Sequence, residues 1–290
     1  MSAEHAEGAG AAPVEPAYRV RGPSATGGDP RRFWNLARTL AATDWKVRFY
    51  GSALGYLWSL LRPLLLFGIV YFVFSTVLDA GAGTENYGIL LLLAMILYFF
   101  FSEVTGAAVT SMVDRESLLR KVGFPRAVVP LSVALVAMMN LALNLVVLSV
   151  FVVAAGVAPR WSWLLLALPL VLTAIFATGV GMLLSALYVR FRDIRPIWDV
   201  VLQALFYATP ILYTIERVAA ESQTLARIML LNPLAALIQE SRYLLTGGTS
   251  LDAALGSQAL VLVPAAILVA VVALGFWVFG RMAPRAAEEL

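Results

Sequence analysis

The chain has 290 residues, of which 61% are hydrophobic and only 13% are charged, and its mean hydropathy is +0.84. Because a soluble domain is about one quarter charged, this composition is that of a protein whose solvent is lipid. The net charge of +3 does not indicate nucleic-acid binding, since the basic residues lie at the ends of apolar runs. There is no cysteine, and the single histidine is His5, so disulfides, thiolate metal sites and histidine catalysis in the membrane region are excluded.

The first predicted segment is a disordered cytoplasmic tail over residues 1–30. It is rich in Ala, Gly, Pro and Glu and low in large apolar side chains. No apolar core follows a basic start, so we expect that this tail is not a signal peptide and is retained.

Residues 31–50 predict an amphipathic helix that lies in the headgroup plane of the membrane. Phe33, Leu36 and Leu40 share one helical face, whereas Asp44 falls inside the apolar stripe and weakens the pattern. The helix is either an anchor that sets topology or also a surface that gathers an anionic lipid substrate. The residues assigned to the lipid headgroup interface are Arg31, Arg32, Trp34, Arg38, Trp45, Lys46 and Arg48.

Six apolar runs predict an all-α membrane protein with its transmembrane domain over residues 54–281 and a cytoplasmic tail over 282–290. The predicted spans are Leu54–Leu78, Tyr87–Met112, Ala127–Ala155, Trp161–Val189, Ile197–Tyr213 and Ser257–Gly280. Four of the 21 Lys and Arg residues fall on one side of this topology and 17 on the side of the termini. Because basic loops stay inside, both termini are predicted to be cytoplasmic, and the protein is predicted to be multi-pass in the plasma membrane.

The connection between spans two and three predicts a short cytoplasmic helix over about residues 114–122. Leu118 and Leu119 face one way, and Arg115, Arg120 and Lys121 face water. A solvated linker needs no Leu-Leu pair, and Pro125 ends the connection sharply. We therefore predict a coupling helix that docks on a partner protein through Arg115, Leu118, Leu119, Arg120, Lys121 and Phe124.

Span two carries the aromatic run Tyr98-Phe99-Phe100-Phe101, followed by Glu103. Aromatic faces stack on sugar rings, so these five residues are candidates for a substrate path, although packing or lipid contact is the more common role of any single ring. A carboxyl group inside a span is costly. Glu103 is therefore a proton relay, a substrate contact or a buried hydrogen-bonding group.

Residues 214–250 are too apolar for a simple loop, and they predict short amphipathic helices broken at Asn232-Pro233. Thr209-Pro210 ends span five early, which gives that span a marginal length. Together these features predict re-entrant helices in the outer leaflet, with Pro210, Tyr213, Asn232 and Pro233 as the outer gate.

Several motifs are absent from the sequence. There is no P-loop, because Val follows both Lys46 and Lys121, and there is neither an HExxH motif nor a paired-aspartate cluster. We therefore expect no catalytic residue, no metal site and no cofactor in this chain. Any ATP hydrolysis belongs to another polypeptide.

An ordered series of motifs resembles the membrane subunits of ABC-2 type exporters of lipid-linked polysaccharides, such as O-antigen, teichoic acid and galactan. The series runs through nearly the whole chain after the tail and consists of Arg48-Phe49-Tyr50-Gly51-Ser52-Ala53-Leu54-Gly55-Tyr56-Leu57-Trp58 leading to Pro63, Phe100-Phe101-Ser102-Glu103, Leu118-Leu119-Arg120-Lys121-Val122-Gly123-Phe124-Pro125-Arg126, Arg192-Asp193-Ile194, Thr209-Pro210-Ile211-Leu212-Tyr213 and Asn232-Pro233-Leu234.

This resemblance implies a homodimer with two copies of a P-loop ATPase subunit, which binds ATP and Mg²⁺. It also implies that the helix before Phe124-Pro125 docks on the ATPase and that a polyprenyl-diphosphate-linked glycan passes between the two copies. Three alternatives stay open: an ABC-2 exporter of drugs or small lipids, a membrane-embedded glycosyl- or phosphotransferase, and a secondary transporter. The transferase would need acidic residues grouped at a membrane face, and the secondary transporter would need more charge inside the membrane.

Overall fold

The computed structural model describes residues 29–50, 55, 57–78, 81, 83–120 and 124–283, and in these ranges it is helical, without β-strands. The predicted tail up to residue 28, Lys121 and the C-terminal tail beyond Ala283 lie outside the described residues. The helices are, in chain order, α1 Pro30–Phe49, α2 Leu57–Phe72 with a π-helical turn Val73–Val77, α3 Tyr87–Asp114, α4 Glu116–Leu119, α5 Val128–Ala154, α6 Ser162–Leu165, α7 Ala167–Arg190, α8 Ile194–Ala208, α9 Ile215–Glu221, α10 Gln223–Leu230, α11 Pro233–Thr246, α12 Leu251–Leu255 and α13 Gln258–Met282.

Five helical stretches in the described ranges are long and apolar enough to cross a membrane. They are Leu57–Val77, Tyr87–Asp114, Val128–Ala154, Ser162–Arg190 and Gln258–Met282, with 21–29 residues each. At about 1.5 Å per residue, even the shortest covers the roughly 30 Å hydrocarbon core. The chain is therefore a multi-pass helical membrane protein.

One of the six predicted crossings, span five, is not confirmed. Where the sequence predicted a span over Ile197–Tyr213, the structure has the 15-residue helix α8, whose length is about 22 Å. The helix ends at Thr209 because Pro210 has no backbone N–H to continue it. The chain then turns back into the short helices α9 and α10.

Helix α3 is the centre of the bundle. In its most apolar window 78% of the residues are buried, compared with 6% for α2 and 17% for α13. Helices α5 and α7 pack along α3, and α2, α8 and α11 also contact it. Most of α2 therefore presents apolar side chains to lipid or to another protein.

Helices α7 and α13 approach each other at two glycines. A Cβ atom added to Gly275 would collide with the backbone carbonyl oxygen of Gly179, and one added to Gly179 would lie 2.8 Å from Cα of Val272. Small residues are what allows helices to pack this closely in a membrane, where dispersion contacts drive helix association.

Candidate functional site: a polar cleft beside the central helix

A cleft with a volume of about 750 Å³ lies beside α3, between α2 and α5. Its walls combine charged and amide side chains with aromatic and aliphatic ones, which is unusual inside an apolar bundle. The residues that line it are Arg48, Trp58, Ser59, Arg62, Pro63, Leu66, Ile96, Phe99, Phe100, Ser102, Glu103, Gly106, Ala107, Ala137, Asn140, Leu141, Asn144 and Arg195.

Glu103 is the acceptor at the centre of a hydrogen-bond network on the cleft wall. Its carboxylate forms an ion pair with Arg48 of α1 and accepts a 2.8 Å hydrogen bond from Nδ2 of Asn140 on α5. The Oδ1 atom of Asn140 in turn accepts a 3.1 Å hydrogen bond from Nε1 of Trp45. The network therefore joins α1, α3 and α5, and it supplies the partners that an intramembrane carboxylate needs.

The four aromatic rings of the run at 98–101 divide between the cleft and the packed core. Phe99 and Phe100 line the cleft. The Tyr98 hydroxyl donates to the carbonyl of Leu202 on α8, and the Phe101 ring stacks on Phe176 of α7 with centroids 5.4 Å apart. Tyr98 and Phe101 do not line the cleft. The structure thus brings Phe99, Phe100 and Glu103 together and adds Trp58, which the sequence had not indicated as part of this site.

Helix α1 is held against the bundle on one side. Ala37 and Ala41 are fully buried where α1 packs on α5, and Trp45 and Arg48 point toward Asn140 and Glu103 rather than outward. The remaining residues assigned to the headgroup interface are exposed: Arg31, Arg32, Trp34, Arg38 and Lys46. The predicted bounds of the helix are therefore close to the observed ones, but its polar residues divide between an outer face and the cleft.

Asp44, which interrupted the apolar stripe of α1, forms an ion pair with Arg115. The side chain of Arg115 is only 20% exposed and also donates to the Ser132 hydroxyl at 3.4 Å. The prediction that Arg115 faces water is therefore wrong. The reason is a contact across 71 positions of sequence, which the local pattern does not contain.

In the described part of the connection between α3 and α5, the helix is α4, Glu116–Leu119, and it follows directly on α3, which continues through Asp114. The predicted end of the coupling helix, residues 121–122, lies outside the described residues. Leu119 is 2% exposed and packs in a cluster with Met112, Val129 and Phe279, and Phe124 contacts the same cluster. Arg120 is exposed and Arg115, Leu118 and Phe124 are partly exposed, so Leu119 is the one described member of the predicted docking set that is buried.

The predicted outer-gate residues lie close together around the end of α8. Asn232 caps α11 by accepting a 3.0 Å hydrogen bond from the Leu234 amide, and its Nδ2 donates to Thr209 at 3.2 Å. Pro233 occupies the first turn of α11, and Pro210 is buried. The Tyr213 hydroxyl donates to the carbonyl of Tyr207 at 2.8 Å.

Sequence reasoning missed Arg242, which lies in α11 and is 3% exposed. Its guanidinium donates to three carbonyls after α8, at 2.6 Å to Pro210, 2.9 Å to Ile211 and 3.4 Å to Tyr213, and to Leu90 of α3 at 3.2 Å. One cation thereby satisfies carbonyls of the non-helical segment that follows α8. Arg242 is the one basic residue of α11 and lies between its apolar segments 234–238 and 243–245, and this was the signal that could have found it.

The observed architecture defines a helical membrane protein with a polar cleft, and comparison with known proteins assigns its family. Residues 35–246 match the model of the family described as "ABC-2 type transporter". The chain belongs to this family, and it is therefore a transport protein of the membrane.

Several relatives bear the same name, "O-antigen export system permease protein RfbA". One from Klebsiella pneumoniae is 31% identical over 218 residues, which cover 74% of this chain and 82% of the relative. A relative from Myxococcus xanthus is 30% identical over 207 residues, which cover 71% of this chain and 78% of the relative.

Proposed function

We propose that this chain is the permease subunit of an ATP-driven exporter that moves a polyprenyl-diphosphate-linked polysaccharide across the plasma membrane. The similarity to permeases of O-antigen export, at about 30% identity over nearly three quarters of the chain, carries this proposal. The cleft supports it, because its charged residues suit the diphosphate and its aromatic rings suit sugar.

In the proposed topology both termini are cytoplasmic and the chain crosses the membrane six times. Helix α8 together with Thr209–Tyr213 would form the crossing that was predicted as span five. Helices α9, α10 and α11 would form the re-entrant outer gate. Arg242 supports this arrangement, because non-helical backbone at membrane depth is stable only where protein satisfies its carbonyls.

In the proposed assembly two copies of this chain bind two copies of a P-loop ATPase subunit, which carries ATP and Mg²⁺. The exposed apolar side chains of α2 are the surface that we assign to the contact with the second copy. The connection that contains α4 is the surface that we assign to the ATPase. Closure of the ATPase would push this connection and open a path between the copies.

The burial of the Leu pair determines how docking is tested. Leu119→Asp puts a carboxylate into the chain's own core, so we expect loss of folded protein rather than a specific loss of docking. Leu118→Asp changes a half-buried residue, so the permease should still fold and reach the membrane. We expect this variant to lose the ATPase in affinity purification and to stop exporting glycan.

The function itself is tested by deleting this chain and measuring lipid-linked glycan on each side of the membrane. We expect glycan to accumulate on the cytoplasmic side and to be exported again when the chain is restored. Purification from native membranes should recover a P-loop ATPase in equal copy number. Two results together contradict the proposal: the permease purifies intact without an ATPase, and glycan export is unaffected when the chain is deleted.

A further inference from the structure

The charge of the cleft is unbalanced. Among the described residues that line it, three are arginines, Arg48, Arg62 and Arg195, and one is a carboxylate, Glu103, which gives these side chains a net charge of +2. Within the described residues, the ion pairs of the structure include Arg48 but neither Arg62 nor Arg195. Both of these side chains are exposed to the cleft, so their guanidinium groups are available to a ligand.

The three arginines that line the cleft come from three separate elements. Arg48 is in the last turn of α1, Arg62 is the sixth residue of α2, and Arg195 is the second residue of α8. Guanidinium groups bind phosphate oxygens through paired N–H donors, and a site formed by three of them fits a group with several phosphate oxygens. A diphosphate diester carries two negative charges, which matches the excess charge of the cleft.

The other walls of the cleft suit what is attached to such a group. The Trp58 and Phe99 rings offer faces for sugar, and Leu66, Ile96 and Leu141 offer aliphatic surface for a hydrocarbon chain. A soluble phosphate would gain nothing from these residues. The combination favours a lipid-linked diphosphate over a free one.

Arg48 has two possible acceptors in this arrangement. Its guanidinium is paired with Glu103, and its side chain is nevertheless 48% exposed. The N–H that Arg48 donates from Nη1 to the Glu103 carboxylate cannot donate to a phosphate at the same time. Glu103 is therefore a competitor of an anionic ligand for Arg48.

We propose that Arg48, Arg62 and Arg195 form a binding site for the diphosphate of a lipid-linked substrate, and that Glu103 holds Arg48 until this ligand arrives. The proposal rests on the proposed function, because it names the chemical group by which the exporter recognises its cargo. It assigns Glu103 the role of a latch on α1. Binding of the ligand releases the contact between α1 and α3 at this position.

The test is a binding measurement on the full chain in nanodiscs of a zwitterionic phospholipid. The probe is a fluorescent polyprenyl diphosphate without sugar. Arg62→Gln and Arg195→Gln should each weaken its binding about tenfold, since each removes charged hydrogen bonds to the phosphates. The control variant is Arg281→Gln, which removes the same charge from a residue stacked on Trp277 outside the cleft. Equal effects of the cleft variants and the control overturn the site.

The proposed role of Glu103 predicts that its substitution strengthens binding of the probe, in contrast to the arginine substitutions. Glu103→Gln should tighten binding about threefold to tenfold, because an uncharged amide competes less strongly for Arg48. In a double-mutant cycle this gain should vanish when Arg48→Gln is already present. A gain of the same size in both backgrounds means that Glu103 acts only through its charge on the whole cleft, and it overturns the latch.

Competitors identify the source of the phosphate. We expect an unlabelled polyprenyl diphosphate to displace the probe at concentrations at least tenfold lower than polyprenyl monophosphate, phosphatidylglycerol or inorganic pyrophosphate. Equal displacement by phosphatidylglycerol assigns the site to general anionic lipid, and equal displacement by pyrophosphate assigns it to a soluble phosphate. Either result overturns the proposal.

Failure of the site is distinguishable from failure of the proposed function. If the chain exports glycan but its binding of the probe does not respond to the cleft substitutions, the proposed function stands and the proposed site is refuted. If the chain binds the probe as described but exports no glycan, the site stands and the proposed function is refuted.

Discussion

The hydrogen bonds of Arg242 make a quantitative prediction about the segment after α8. The substitution Arg242→Met keeps an unbranched side chain of similar length and removes every donor. The two short hydrogen bonds, to the carbonyls of Pro210 and Ile211, lie in buried surroundings. The longer ones, to Leu90 and Tyr213, contribute less because of their 3.2 and 3.4 Å lengths.

Each buried carbonyl left without its donor costs about 1–3 kcal/mol. Two such groups cost about 2–6 kcal/mol, and removal of a buried charge returns part of this. We therefore expect Arg242→Met to lower the free energy of unfolding by about 3 kcal/mol. For a protein of this size, that loss corresponds to a decrease in melting temperature of about 6–12 °C.

The assay is the fraction of monodisperse full-length protein that survives heating in detergent, measured by size-exclusion chromatography. The matched control is Arg227→Met, which removes the same charge from an exposed residue in the last turn of α10. The control should stay within about 2 °C of the unsubstituted chain. A melting temperature of Arg242→Met equal to that of the control would show that the carbonyls find other donors, and it would refute the role assigned to Arg242.

Two further predictions concern helix packing and the aromatic run. Gly275→Ala places a methyl group against the carbonyl of Gly179, so we expect a large loss of folded protein in the membrane, whereas Gly280→Ala, which meets open space, should express normally. Phe101→Ala should destabilise the chain by about 3–5 kcal/mol, because it removes a fully packed ring. Phe99→Ala should reduce glycan export with a smaller loss of thermal stability, and a loss equal to that of Phe101→Ala would contradict the placement of Phe99 in the cleft.

The sequence predicted the helices more reliably than their contacts. Helix α1 lies within one residue of the predicted segment 31–50, because the spacing of its apolar residues follows one helical face. The Asp29 cap and Pro30, which start the helix, lie in the segment predicted as the tail. The contacts of Asp44 and Arg48 were not predictable in the same way. Their partners are Arg115 and Glu103, which are far away in sequence and reach α1 only through the packing of the bundle.

The aromatic run shows why a cluster in sequence is a poor guide to a site on a helix. Consecutive residues point about 100° apart, so four adjacent rings surround the helix and cannot all face one cavity. Which of them line the cleft depends on where α7 and α8 pack against α3. The crossing predicted as span five is not confirmed for a similar reason: α8 ends before Pro210, and the segment after it is held by the distant donor Arg242, which the local sequence does not reveal.

Asp44 and Arg48 connect the cleft to the docking connection through a single helix. The two residues are four positions apart and therefore lie on the same face of α1. Arg48 contacts Glu103 in the cleft, and Asp44 contacts Arg115 at the start of the connection that leads to α4. When a ligand replaces Glu103 as the partner of Arg48, two contacts of α1 with the bundle remain in this region. They are the Asp44–Arg115 ion pair and the Trp45–Asn140 hydrogen bond. Both ion pairs have moderately exposed partners, so either is weak enough to break and re-form during transport. In the proposed mechanism, helix α1 is the element whose position would depend both on the contents of the cleft and on the state of the connection, which is the physical requirement for coupling two sites.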